Sequence, residues 1–205
     1  MEAEDLSNFL NFYLTNMCDI ALKYGGTIDK FIGDSVMVFF GDPDTKGAQE
    51  DAIACCSMAL EMLNFLESNQ QHFQEMYNFP EKLEIRIGIH NGLCNVGNFG
   101  SAQRLDYTAI GRAVNVASRL EQAAPKNSIL VSSAVRNLIK NNFETSSPIE
   151  VKAKGIDKPI ASYVLTRQEA SNTKVIKELD GLKLEYDPRK IDKKKLLKII
   201  DELEN

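Results

Sequence analysis

The side chains of Lys30, Asp34, Asn115, Arg119 and Lys154 stand out by type and position. Asp34 follows Gly33 between two runs rich in β-branched and aromatic residues, and a carboxylate on such a turn suits Mg²⁺, which takes one or two carboxylates with phosphate oxygens and water. Asn115 and Arg119 are four apart in a helical stretch and project from one face. A guanidinium there can meet phosphate oxygens in pairs, and Lys154, between Ala153 and Gly155, offers a point charge. The chemistry these types support is the holding of an anionic ligand together with a metal. Each also has a structural reading: a Gly-Asp turn, a solvated helical asparagine, a surface ion pair and a strand-end lysine.

The elements that must position them follow from periodicity. From Asp5 to Tyr24, Leu6, Phe9, Leu10, Tyr13, Met17, Ile20 and Ala21 recur at spacings of three and four, an amphipathic helix closed by Gly25-Gly26. Thr27 to Phe31 and Ser35 to Phe40 form a hairpin around Gly33-Asp34, with the apolar second arm expected to be covered on both faces. A second helix is expected from Gln49 to Leu66, with Glu67 to Pro80 as a frayed connector. Leu83 to His90 alternates as a half-covered strand, and Asn91-Gly92 predicts a hairpin whose return arm is Leu93 to Phe99. Leu105 to Ile110 reads as a strand, Arg112 to Ala123 as a helix, Ser128 to Ser132 as a strand and Ser133 to Lys140 as a helix. Glu150 to Lys154 and Ile160 to Leu165 form a closing pair. The pattern predicts an α+β sandwich of ferredoxin-like, palm type, an antiparallel or mixed sheet with helices on one side.

Beyond Thr166 the composition changes. Gln168 to Lys174 reads as a linker, Leu182 to Tyr186 as a lone strand, and Asp192 as the cap of an amphipathic helix bearing Leu196, Leu197, Ile200 and Leu203. The division expected is therefore 1–166 as one domain and 167–205 as an appendage, the last helix either packing on its own domain or serving as a docking or dimerisation element.

Composition sets further bounds. At 43% hydrophobic and 26% charged, 205 residues can bury one full core. A net charge of −5 argues against a nucleic-acid polymer as partner, because a phosphate backbone demands a basic face. Cys18, Cys55, Cys56 and Cys94 lack C-x-x-C spacing and do not cluster with His72 or His90, so they read as reduced, without a zinc site. No leader and no apolar run of about 18 residues is present, so the chain as given is expected to be soluble and cytoplasmic, with no membrane contact.

Taken with Arg104 to Leu120 and Val151 to Gly155, the hairpin resembles the catalytic domain of the class III adenylyl and guanylyl cyclases, of the bacterial adenylate cyclase type, over about Ala3 to Leu165. On that resemblance Asp29-Lys30-Phe31-Ile32-Gly33-Asp34 carries a purine-contacting lysine, Lys30, and a metal-binding aspartate, Asp34. Tyr107 to Arg119 looks like the second signature: Thr108 at the other purine-selecting position, Asn115 at the ribose-orienting one and Arg119 at the transition-state phosphate ligand. Lys154 falls on the triphosphate lysine. The resemblance also implies ATP as partner, Mg²⁺ or Mn²⁺ in a two-metal site, and a head-to-tail homodimer whose active sites form between two copies. Adenine fits Lys30 and Thr108, since N1 accepts and N6 donates, whereas guanine reverses that polarity. An unmatched buried polar group costs roughly 1–3 kcal/mol.

Class III domains begin with a strand of the form F-x-D-I-x-G-F-T bearing the first metal aspartate, and no such stretch occurs here; Asp19-Ile20 lies mid-helix. The resemblance is therefore to a domain truncated at its N-terminus, lacking one strand and one metal carboxylate. Weak or undetectable cyclase activity is expected, with Val36 to Phe40 left an unpaired edge. The alternatives are a catalytically silent nucleotide-binding or dimerisation module, or a half-site pairing with an intact cyclase. A diguanylate cyclase is disfavoured because Ile32-Gly33-Asp34-Ser35 stands where G-G-D-E-F would be.

Overall fold

A computed structural model of the chain describes residues 3–77, 79, 81–151, 159–166, 175–179 and 182–186. It divides into two compact units, Met1–Thr166 and Arg167–Asn205.

In the larger unit, helix α1 (Ala3–Lys23) buries Phe9, Tyr13, Met17, Ile20 and Ala21 along one stripe. It ends as the glycines require. Gly25 takes φ 81°, its N–H donates to Leu22 O at 3.0 Å, and Gly26 N–H donates to Ala21 O at 2.9 Å. The chain turns directly into strands β1 (Thr27–Ile32) and β2 (Ser35–Phe39), antiparallel about Gly33 at φ 64°. β2 is only half-buried, against the expectation of cover on both faces: Val36 and Val38 pack on the first core cluster, while its only ladder partner among the described residues is β1.

Helix α2 (Ala48–Ser68) is followed by a separate helix α3 (Gln70–Tyr77), not by a frayed connector. The polar composition of that segment hid one anchor, Phe73. It is 1% exposed, and its ring meets Phe9 edge-on at 5.7 Å.

The main sheet runs β3 (Arg86–Ile89), β6 (Ser128–Ser132), β9 (Ile160–Thr166) and β7 (Glu144–Thr145), with β8 (Ile149–Val151) also on β9. β3 and β6 are parallel and the rest antiparallel, so the sheet is mixed. The hairpin expected at Asn91-Gly92 does not form. β3 takes β6 as its partner, and β4 (Asn95–Ser101) pairs instead with β5 (Arg104–Ile110) across a tight turn, as a separate two-stranded ribbon.

β6 shows how the layers are built. Ile129 and Val131 face a cluster with α2 and helix α5 (Ser133–Ile139), while Leu130 faces the opposite side, against Val116 and Leu120 of helix α4 (Arg112–Ala123). Alternate residues of a strand point to opposite faces. The helices therefore cover both faces, not one, and the unbroken apolar run Ile129-Leu130-Val131 is the sequence counterpart of that double cover. α4 approaches closely because Gly88 of β3 has no side chain: a Cβ there would lie 2.2 Å from Glu121 N and 2.3 Å from Ala117 O.

In the smaller unit, β10 (Val175–Leu179) and β11 (Leu182–Tyr186) form an antiparallel hairpin, so the strand expected to stand alone has a partner. The linker Gln168 to Lys174 and the helix expected after Asp192 lie outside the described residues.

Candidate active site

The β1–β2 ladder slips by one residue. Ile28 pairs with Val38 and Lys30 with Met37, which leaves Asp29 as an extra residue in β1. A bulge of this kind re-aims a side chain. Here the Asp29 carboxylate, fully buried, reaches across to β5. Thr108 Oγ1 lies 2.8 Å from both of its oxygens, and the Ala109 N–H donates to Oδ2 at 2.8 Å. Lys30 Nζ stands 3.2 Å from Asp29 Oδ1 with its side chain 44% exposed. A buried carboxylate is costly unless its lone pairs are met, and a hydroxyl, a backbone amide and an ammonium meet them here.

Two residues far apart in sequence, Lys30 and Thr108, are thereby joined through one carboxylate. Asp29 was not among the expected site residues. Its signal was an Asp-Lys pair inside an otherwise β-forming strand, where an acid facing the core needs a partner on the neighbouring element.

Asp34 sits on the exposed hairpin turn. Its negative charge is felt at Tyr13, whose hydroxyl is pushed up to about 12, chiefly by burial and then by Asp34. The root of the hairpin is tied to β5 from the other side. Tyr107 OH donates to Asp42 Oδ1, which raises the tyrosine pKa, and the Phe39 and Tyr107 rings lie 6.4 Å apart.

β5 passes through Gly111 into α4. Asn115 is exposed on that helix, and Arg119 Nη1 donates to Gln122 Oε1 at 3.0 Å. Among the described residues no hydrogen bond or ion pair joins Asn115, Arg119 or Asp34 to the Lys30–Asp29–Thr108 group. Lys154 lies outside the described residues. An open cleft of about 380 Å³ beside the first turn of α4, lined by His90, Arg112 and Val116 among others, holds none of these side chains. Burial lowers the pKa of His90, whose Nδ1 is 2.9 Å from Ser132 Oγ.

The arrangement brings together, from one chain, a cation and a hydroxyl on one buried carboxylate, with the Asp34 carboxylate exposed on the adjoining turn. No group of three or more His, Cys, Asp or Glu able to enclose a metal occurs among the described residues.

Comparison with known proteins gives a consistent result. The profile described as "Adenylate and Guanylate cyclase catalytic domain" matches residues 1–167. An adenylate cyclase of Anabaena cylindrica is 36% identical over 168 residues, covering 80% of this chain and 32% of that protein. The chain thus spans about a third of that relative's length. Among solved structures, the adenylyl cyclase CyaB from P. aeruginosa superposes with a TM-score of 0.80 at 46% identity, covering 83% of this chain and 86% of that one. The guanylyl cyclase Cya2 superposes with a TM-score of 0.75 at 30% identity, covering 80% and 82%. No helix among the described residues is long and apolar enough to cross a membrane.

Proposed function

This chain belongs to the adenylate and guanylate cyclase catalytic domain family, and on that premise we propose that its substrate is ATP and its products 3′,5′-cyclic AMP and pyrophosphate. The observation that carries the choice of ATP is the pairing of Lys30 with Thr108 through Asp29. The ammonium can donate to adenine N1 and the hydroxyl oxygen can accept from N6, while guanine would set donor against donor and acceptor against acceptor.

In this reading the 3′ oxygen bonds to the α-phosphorus as the bond to the β-phosphate oxygen breaks, with the 3′ proton lost to solvent. Asn115 orients the ribose. Arg119 meets the charge that develops on the transferring phosphate, and Lys154 holds the triphosphate. Asp34 is the protein ligand of a Mg²⁺ or Mn²⁺ site, where the ions would offset phosphate charge and lower the cost of ionising the 3′-hydroxyl. Asp34 of one copy serves the base and phosphate groups of a second in a head-to-tail homodimer. The apolar side chains left open along β4–β5, Phe99, Leu105 and Ile110, support such a partner.

The sequence offers Asp34 without the F-x-D-I-x-G-F-T aspartate, so turnover by this chain alone is expected to be weak. The second reading, a silent nucleotide-binding or dimerisation module, rests on that same single carboxylate. Cyclic AMP formation from ATP with Mn²⁺ or Mg²⁺, with GTP as control, decides between them when the chain is compared with Arg119→Ala. Turnover that disappears in the variant shows that the site assembles. Silence that ends once an aspartate-bearing first strand is supplied identifies an incomplete enzyme, and silence in both cases favours the module.

A further inference from the structure

We propose that Asp29 is a positioning residue that sets which base the site accepts, by fixing the direction of the Thr108 hydroxyl. This rests on Lys30 and Thr108 being the base-contacting pair. An ionised carboxylate only accepts hydrogen bonds, so the contact at 2.8 Å obliges Thr108 to spend its one proton on Asp29. The oxygen then has only lone pairs to offer a ligand. The same carboxylate forms an ion pair with the Lys30 ammonium at 3.2 Å, and an ammonium has only donors to offer a ligand. The pair therefore presents an acceptor beside a donor, in that fixed order.

A base matches if it carries an amino group next to an unprotonated ring nitrogen. Adenine has this edge at N6 and N1, and cytosine has it at N4 and N3. Guanine, hypoxanthine and uracil carry an oxo group next to a ring N–H and meet the pair with both polarities reversed. A threonine without Asp29 would have no such preference, since a free hydroxyl turns to suit either partner. The bulge is what makes the device work. In a regular strand Asp29 and Lys30 would face opposite sides, whereas here the ammonium reaches the same carboxylate that Thr108 meets. The Ala109 N–H clamps the second carboxylate oxygen, so the acid does not rotate away.

The test is equilibrium binding of ATP, ITP, GTP and purine riboside triphosphate, measured by competition against a fluorescent ATP analogue. It uses the full chain and its Asp29→Asn variant. The asparagine keeps the size and can still accept from Ala109, but its amide can donate to Thr108 and release the hydroxyl proton outward. The wild type is expected to bind ATP at least about tenfold more tightly than ITP or GTP, with purine riboside triphosphate, which lacks only the amino group, in between. In Asp29→Asn the ATP-to-ITP ratio should fall by about tenfold at an unchanged melting temperature. A folded variant with the wild-type ratio would overturn the proposal, because a purely structural role moves stability and not base preference. Should the variant fail to fold, the wild-type series decides: a ratio near one between ATP and ITP, or no loss on removing the amino group, defeats it. Absence of any nucleotide binding would defeat the functional reading itself and this inference with it, an outcome distinct from binding without discrimination.

Discussion

The main sheet and the β4–β5 ribbon are made from similar residues and have opposite fates. In β6, Ile129, Leu130 and Val131 are each fully buried, between α2 and α5 on one face and α4 on the other. In the ribbon, Phe99 is 38% exposed, Leu105 62% and Ile110 47%. β-forming residues make a strand in both places, because ladder and turn suffice for that; cover is a separate matter, decided by what the rest of the chain packs on top. The ribbon is held near its end, where Thr108 and Ala109 are buried against β1 and Tyr107 bonds Asp42. Lys30 and Thr108 sit at the boundary between a region the chain completes by itself and one it leaves open.

The contrast can be broken by mutation. Leu130→Ala should destabilise the fold by about 2–5 kcal/mol in urea denaturation, because it opens a cavity between β6 and α4. Gly88→Ala should cost about 1–3 kcal/mol, since its Cβ meets α4 backbone and the whole helix must shift; the same shift should weaken any role of Asn115 and Arg119.

A smaller effect concerns pH. Burial holds the His90 pKa below its ordinary 6.5, so the unfolded state takes up the proton first, and stability should fall as pH drops below about 6.5. His90→Gln should flatten that slope between pH 7 and 5 in thermal melts. A steeper slope in the variant would show that the imidazole is favoured in its charged form. Smallest of all, Leu105→Ser should change monomer stability by less than about 0.5 kcal/mol while weakening self-association in sedimentation velocity. A loss at Leu105 comparable to that at Leu130 would erase the distinction between the two regions.

Much of this could be read before any coordinates. The stripe of α1, its Gly25-Gly26 cap, the first hairpin and β5–Gly111–α4 all follow local rules of period and turn, and the structure keeps them. The errors lie where partner choice is non-local. Asn91-Gly92 is a hairpin signal, yet β3 finds β6 in parallel from far along the chain, and no local pattern encodes that. α3 was hidden because Phe73 alone carries its burial. In the smaller unit, Asp180-Gly181 is a turn-favouring pair between β10 and β11, a local signal for that hairpin. At the candidate site, Lys30 and Thr108 each stand in a motif that the sequence shows, and the structure joins both to Asp29. The contact of Asp29 with both arises from a ladder slip that only the paired strand reveals.

The parallel pairing of β3 with β6 has a kinetic consequence. Everything between these strands, residues 90–127, is an excursion that leaves the sheet and returns to it, and it includes the ribbon, Thr108 and α4. The entropy of closing so long a loop must be met before the ladder rewards it, which makes this step slow beside the local hairpins. Closing it brings Gly88 under α4 and carries Thr108 toward Asp29. Refolding followed at once by intrinsic tyrosine fluorescence and by nucleotide binding should therefore show the two signals rising together in the slow phase, as the Lys30–Asp29–Thr108 group assembles with the sheet.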